Sequence, residues 1–524
     1  MFGPAWPQDG AVPGPITDLI IDGGPLTIGE VAAAARGRAR VALGPAARAQ
    51  LADSRGALEQ AMARGEVLYG VNTGFGSLAQ QRIDDAQLRE VQRNLILSHA
   101  AGVGEPLPAE VVRAMMILLC ASLARGRSGV RPAVCAQLVG LLAADVTPVV
   151  PSVGSVGASG DLAPLAHAAL VLIGEGEATH AGRMVDGAEA LRIAGLTPLV
   201  LEAKEGLALI NGTHLMAGAA ALVLADLEPL WAAALAAAAL SIDACRGTDA
   251  FLDERVHAAR GQDGQSEVAR RLRALIAGSE IVPSHLHGDP RVQDPYSLRC
   301  APQVLGAAHD AIAFARAIVA RELAAITDNP LVFPSDPAHT RQVVSAGNFH
   351  GMPLALALDT LIIALVHVAG ISERRTYYIL AASDAENPLH PQLAPQPGLC
   401  SGLMVAQYVA AACCNELIGL ATPASVANIP TSAGIEDYNS MGATSARKAR
   451  RALERVTDVV AIELLCAAEA LEYQRPLRSG AGVEAAFATV RNAVPRRAGD
   501  RPPAPDIRAL GQLIRDGRFL SDAR

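Results

Sequence analysis

Aromatic side chains are scarce in this sequence: Phe, Trp and Tyr make up 3% of its 524 residues, against 51% hydrophobic residues overall. A core of that composition must be packed from Ala, Leu and Val, which is a helical and not a disordered profile. Charge is thin as well, at 18%, and it is not positive: 44 Lys and Arg against 52 Asp and Glu leave a net charge of −8. Without a basic surplus there is no electrostatic footprint for nucleic acid, which is set aside as a main partner. The sequence has no CxxC pair. Its eight cysteines, Cys120, Cys135, Cys245, Cys300, Cys400, Cys413, Cys414 and Cys466, are scattered, most in apolar helical contexts. Buried, reduced thiols are the expectation, not a metal site or a disulfide framework.

Long uncharged apolar runs are missing too. Asp226 and Glu228 stand just before the run Pro229 to Ile242, and Asp359 divides Gly351–Leu358 from Leu361–Val368. Leu399 to Cys414 contains Gln407 and runs into Glu416. None reaches the roughly 20 apolar residues of a spanning helix, so no membrane is expected. The mean hydropathy of +0.27 is then read as helices buried on nearly every face, as in a large bundle or an oligomer core. No Lys or Arg precedes Arg36, so the start lacks the charged region of a secretory signal, and a cytoplasmic protein is expected.

What is there divides into three segments. Residues 1–206 form a mixed N-terminal domain, 207–479 a central bundle of long helices, and 480–524 a C-terminal cap. Ile16–Ile21 is the best strand, and Thr27-Ile-Gly-Glu30 predicts a capped helix start. Helices are predicted near 45–64, 84–100, 108–125 and 131–145, with a hairpin or turn cluster over 174–187. The segment 148–160 reads as loop, and Asp161 as the N-cap of a helix to about Ile173. From Leu207 to Leu471 the pattern is almost wholly helical, broken at 246–254, 283–300, 328–348 and 385–400. His285-Leu-His287 could share a strand face and a metal, but a loop or surface role is preferred. The charges opening a helix at Ser372-Glu-Arg-Arg-Thr-Tyr-Tyr378 read as a solvated or interface face.

The most informative run is Gly154-Ser-Val-Gly-Ala158-Ser159-Gly160-Asp161-Leu-Ala-Pro164-Leu-Ala-His167. Its glycines are spaced GxxGxxG and no clear strand precedes them, so a dinucleotide loop is not expected. A helix-capping turn is the default reading. A tight loop of small residues also lets the unhindered Gly160 nitrogen attack a nearby carbonyl. Dehydration of Ser159 would then turn its Cβ into an exocyclic methylene, an electrophile made from the backbone.

That run resembles the signature of the aromatic amino-acid ammonia-lyase/aminomutase family. So, in the family's order, do Tyr69-Gly-Val-Asn-Thr-Gly-Phe-Gly76, Glu205-Gly-Leu-Ala-Leu-Ile-Asn211-Gly-Thr213, Gln293-Asp-Pro-Tyr296-Ser-Leu-Arg299, Gly347-Asn-Phe349-His350 and Pro430-Thr-Ser…Glu436-Asp437…Ser440-Met441. The resemblance implies a mainly α protein of the ammonia-lyase/fumarase-like fold. It implies a 4-methylideneimidazol-5-one (MIO) group formed from Ala158, Ser159 and Gly160, with no external cofactor and no metal. Tyr69 would be the catalytic base and Tyr296 a second catalytic residue. Arg299 would clamp the substrate carboxylate, Asn211 and Gln293 would complete the polar shell, and Phe349 would wall the side chain. A homotetramer with sites shared between chains is implied as well.

Ser98-His99 resembles the block where histidine-specific members of the family carry Ser-His, and Glu416 matches their pocket glutamate. An imidazole needs partners for two ring nitrogens, which a histidine and a carboxylate would provide. The expected reaction is non-oxidative deamination of L-histidine to trans-urocanate and ammonia. His214, Met352 and Gly434-Ile-Glu-Asp-Tyr-Asn439 depart from the histidine-type pattern and bear on substrate, not on cofactor. The alternatives are a tyrosine or phenylalanine ammonia-lyase, or a 2,3-aminomutase. Intact Tyr69, Ser159, Asn211 and Arg299 argue against a non-catalytic scaffold.

Overall fold

Thr27 starts the first helix as its sequence predicts: its Oγ1 accepts from the Glu30 amide at 3.2 Å, while Glu30 Oε2 accepts from the Thr27 amide at 2.8 Å. Both otherwise free donors of the helix end are thereby satisfied. The structure, a computed structural model, describes residues 18–520 apart from 288, 290, 335–340 and 385–386. Of the strand expected over Ile16–Ile21, positions 16 and 17 lie outside the described residues.

The N-terminal part runs β1 (Asp18–Ile21), α1 (Ile28–Ala35), β2 (Arg40–Leu43), α2 (Pro45–Ala63), α3 (Leu88–His99), β3 (Val103–Pro106), α4 (Ala109–Ala124) and α5 (Pro132–Ala143). It continues through β4 (Thr147–Pro148), β5 (Pro151–Val153), α6 (Leu162–Leu172), the hairpin β6 (Glu177–His180) and β7 (Arg183–Asp186), α7 (Gly187–Ile193) and α8 (Glu205–Ile210). Then come α9 (His214–Ala244), α10 (Glu254–Arg260), α11 (Asp263–Ile276), α12 (Ile281–Ser284), α13 (Tyr296–Arg299) and α14 (Ala301–Leu323). After the short pair β8 (Leu331–Val332) and β9 (Val343–Val344) follow α15 (Met352–Ala381), α16 (Met404–Leu420), α17 (Gly442–Leu471), α18 (Ala481–Ala493) and α19 (Ala504–Arg515). Sheets are small: β1 pairs with β2 in parallel, while β3–β5, β4–β6–β7 and β8–β9 are antiparallel.

The protein is mainly α, built on a bundle in which α17 packs against α9, α15, α16 and α19, and α14 against α15. Helix α9 is buried on almost every side. Its run Ala236–Ala239 combines strong helix propensity with side chains short enough for close neighbours. One buried apolar cluster extends from Leu19 to Phe519. It takes in α1 and α4, which pack on α9, and each fully buried Leu adds about 1.5–3 kcal/mol. Helices α9 and α15 are long and apolar enough to cross a membrane by composition, yet 78% and 67% of their most apolar windows are covered by the rest of the chain.

Several expectations need correction. The segment 148–160 is not all loop, because β4 and β5 lie at its start. The helical region does not begin unbroken at Leu207: α8 ends at Ile210, and Gly212, at φ +117°, turns the chain before α9. A further break at 421–441 was not foreseen. Ser372 does not open a helix but lies late in α15, and Glu373 and Arg375 face inward. The Arg375 guanidinium binds both carboxylate oxygens of Glu463 on α17, at 2.5 and 2.8 Å, and Ser241 donates to the same carboxylate at 2.7 Å. His285 follows α12, with Nδ1 3.1 Å from Asp289 Oδ2. Among the described residues, no three His, Cys, Asp or Glu side chains group as metal ligands.

Candidate active site

Three neighbours pin the Ala158-Ser159-Gly160 turn. From the turn before α9, the Gly212 amide donates to the Ser159 carbonyl at 3.3 Å, and the Asp161 amide donates to the Gly212 carbonyl at 2.7 Å. From the start of α15, the Gly351 amide donates to the Gly157 carbonyl at 3.2 Å. Ahead of α17, Ser440 Oγ donates to that same carbonyl at 3.0 Å, and the Met441 amide donates to Val156 at 2.8 Å. Gly160 has φ +73°, and a Cβ placed on it would collide with the Gly212 carbonyl, so only glycine fits. Asp161 stands at the N-cap of α6, but its side chain does not cap that helix. It accepts from the Leu215 and Met216 amides at 2.9 and 3.1 Å, at the start of α9, and from Ser155 Oγ at 2.9 Å. Burial pushes its carboxyl up to about 7 against the pull of those donors.

Beside the turn lies a cavity of about 950 Å³. Ala158 and Ser159 line it together with Tyr69, Ser98, His99, Asn211 and Phe349, so the structure assembles seven of the expected side chains around one space. Tyr69 comes from the glycine-rich loop after α2, and its hydroxyl accepts from the Gly76 amide at 3.1 Å. Ser98 and His99 end α3. Ser98 Oγ donates to the Leu95 carbonyl at 3.1 Å and lies 3.0 Å from His99 Nδ1. Burial lowers the His99 pKa below the ordinary histidine value, opposed by the Leu95 carbonyl and the Glu436 charge.

Apart from Gly160, which belongs to the turn itself, four expected residues do not line this cavity. Gln293 is exposed, and Tyr296 is 70% exposed on α13. The Arg299 guanidinium lies over the Tyr296 ring at 4.5 Å, and its Nε donates to the Asp294 carbonyl at 2.9 Å. Glu416 is a correction: it sits on α16, facing α17, with its carboxylate 2.5 Å from Arg451 and 3.9 Å from Arg455. Two carboxylates line the cavity, Glu436 and Asp437, both from the unforeseen break at 421–441, and Glu436 is the one that meets the turn. Ser159 Oγ donates to its Oε1 at 2.8 Å and Thr431 Oγ1 to its Oε2 at 2.7 Å. Its block was legible in the sequence, but its partner Ser159 is 277 residues away and no local pattern joins them. Asn329, also lining the cavity, and the buried Lys204 and Asp328 behind it were missed as well. The last pair had no local signal, because Lys204 stands between Glu202 and Glu205 as a residue of a solvated face would.

A mainly α bundle holding an Ala-Ser-Gly turn at the wall of a cavity defines an enzyme of the ammonia-lyase/aminomutase fold. The chain belongs to the aromatic amino acid lyase family, whose model matches residues 26–492. It is 51% identical over 507 residues to a histidine ammonia-lyase of Anaeromyxobacter dehalogenans, an alignment covering 95% of this chain and 99% of that relative. Among solved structures it resembles histidine ammonia-lyase from Trypanosoma cruzi, with a TM-score of 0.87 and 36% identity, covering 96% of this chain and 97% of that one. It also resembles a tyrosine aminomutase from Streptomyces globisporus, with a TM-score of 0.89 and 34% identity, covering 96% of this chain and 98% of that one.

Proposed function

We propose that this protein is a carbon–nitrogen lyase that converts L-histidine to trans-urocanate and ammonia. The observation that carries the reading is the meeting of His99 and Glu436 at the cavity holding Ser159. An imidazole needs one partner for its N–H and another for its second nitrogen, and these two side chains provide them. A phenyl ring could use neither of them, which costs binding relative to an imidazole. The names of the relatives point the same way.

The residues of the turn fit an MIO group: the cradle around Gly160 has no room for a Cβ, and the Ser159 hydroxyl is already held by an acceptor. MIO would supply an electrophile that takes up the substrate's amino group and makes it a better leaving group. Formation of the ring removes two waters per chain. Tyr69, on its loop at the cavity rim, would take the β-proton, which is barely acidic and needs a base held in place. Phe349 would wall the ring of the substrate.

Gln293, Tyr296 and Arg299 would act in the cavity of a neighbouring chain, which makes a homotetramer part of the reading. Exposed Val405, Tyr408 and Ile418 on α16, with Val426 and Ile429 beyond it, form an apolar surface suited to such packing. A tyrosine or phenylalanine substrate, or an aminomutase outcome, is the second reading, favoured by the likeness to the tyrosine aminomutase.

Purified protein is to be assayed in parallel with L-histidine, L-tyrosine and L-phenylalanine, with Ser159→Ala as the blank. Urocanate well above coumarate and cinnamate is the expected result. Coumarate or cinnamate dominating would overturn the substrate, and β-amino acids without any conjugated acid would replace the lyase by a mutase.

A further inference from the structure

Behind the cavity wall lies a buried charge pair that the reaction as proposed does not use. Lys204, fully buried in the left-handed region at φ +77°, places Nζ 2.6 Å from Oδ2 of Asp328, itself 1% exposed. Burial draws the lysine below its ordinary value while Asp328 opposes the shift. Isolated charges are costly in such a place, so the pair has to be complete to persist. The other oxygen, Oδ1, accepts from the Asn329 amide at 2.6 Å and from Asn211 Nδ2 at 3.2 Å. Among the described residues, each of these hydrogen bonds to the Asp328 carboxylate therefore comes from an N–H donor. Asn211 Nδ2 also donates to the Asn329 carbonyl at 3.1 Å.

These contacts determine the orientation of the Asn211 amide. Rotating it by half a turn would set its oxygen against two acceptors, Asp328 Oδ1 and the Asn329 carbonyl, so that orientation is excluded. Asn211 is 3% exposed and lines the cavity, and its Oδ1 has no hydrogen-bond partner among the described residues. A buried acceptor without a partner costs free energy until a donor reaches it.

We infer that Lys204 and Asp328 are positioning residues that lock the Asn211 amide with Nδ2 held by Asp328, so that Oδ1 is left as an acceptor for an N–H of the substrate's amino group. The inference rests on the reading of an amino-acid substrate in this cavity and adds the atom that meets the amine.

The test uses full-length Asp328→Asn and Lys204→Met enzymes beside the wild type. Three quantities are read: intact mass, KM and kcat with L-histidine, and the inhibition constant of trans-urocanate, which lacks the amino group. Asparagine at 328 can donate as well as accept, so it releases the lock. Removing the lysine leaves a buried carboxylate without its counter-ion, which favours its protonated form, and a protonated carboxyl can donate and so releases the lock as well. Both variants should lose the two waters of ring formation and bind urocanate within about twofold of wild type. Their kcat/KM for histidine should fall about 10- to 100-fold, the size of one hydrogen bond to a charged group. Equal losses for histidine and urocanate, no loss at all, or failure of both variants to fold would overturn the inference and assign the pair to core stability. Wild-type protein with the ring formed but no urocanate produced would instead sink the histidine reading. The same variants would then be compared using whichever amino acid the wild type turns over and its amine-free product.

Discussion

Gly160 sits where the chain can afford no side chain, because the Gly212 carbonyl occupies the place of a Cβ. Gly160→Ala should therefore push the turn apart and stop ring formation, leaving a chain whose intact mass shows no loss of water and whose activity matches Ser159→Ala. The motif around this turn was plain in the sequence; the carboxylate opposite it was not. Glu416 follows an apolar helical run and resembled a pocket residue, but helical periodicity gives a face without saying what that face meets. It meets Arg451, and Glu436 meets Ser159. Glu436→Gln should accordingly lower kcat/KM for L-histidine by about 10-fold or more, as expected when a charged hydrogen-bond partner is lost, and Glu416→Gln by far less. His214 makes a separate prediction about pH. Burial holds its imidazole at about 3, helped by Arg125, while an unfolded chain protonates it near 6.5. Between those values the unfolded state binds the extra proton, so this group's contribution to stability is complete above 6.5 and is lost as pH falls, by up to about 1.4 kcal/mol per unit. Compared with wild type, His214→Gln should gain relative stability as pH is lowered from 7 to 4.5, read from urea midpoints. An unchanged difference across that range would refute it.

Helices were the most legible elements, since α2, α4 and α5 begin and end within a residue or two of their apolar pattern. The error at Ser372 has a physical cause. Charges inside a helical pattern ordinarily mark solvent, and sequence alone does not show that α17 carries the matching carboxylate. Arg375 and Glu463 are 1% and 0% exposed and bind through two contacts, so the pair ties α15 to α17 in the dry middle of the bundle. Glu463→Gln leaves a buried guanidinium without its counter-charge and should cost about 3–5 kcal/mol, whereas Arg375→Met with Glu463→Leu replaces both charges by apolar volume and should recover most of that loss. Thermal midpoints of the two variants and the wild type measure the contrast. A double variant as unstable as the single one would mean that packing, not the unpaired charge, sets the cost.

The whole molecule poses a question that one chain leaves incomplete: Tyr69, Ser159 and Glu436 share a cavity, while Tyr296 and Arg299 lie outside it, on α13. Under the reading proposed above, an Arg299 clamp lying outside its own cavity would serve another chain's, and the apolar exposed side of α16 offers the surface on which copies could meet. Shared sites make a quantitative prediction. Ser159→Ala and Arg299→Gln chains should each be inactive alone. Co-expressed in equal amounts, they form mixed assemblies in which a site drawing Ser159 and Arg299 from different chains is intact about one time in four, given random symmetric assembly. A site drawing both from one chain is never intact in such a mixture. Urocanate production near a quarter of wild type would therefore place Arg299 across an interface. Val405→Asp, which puts a charge on the exposed face of α16, should then separate the assembly in sedimentation and abolish that activity together with the wild-type activity. No recovery in the co-expressed mixture would return Arg299 to a structural role, because its contacts to Tyr296 and the Asp294 carbonyl would be all that remains for it to do.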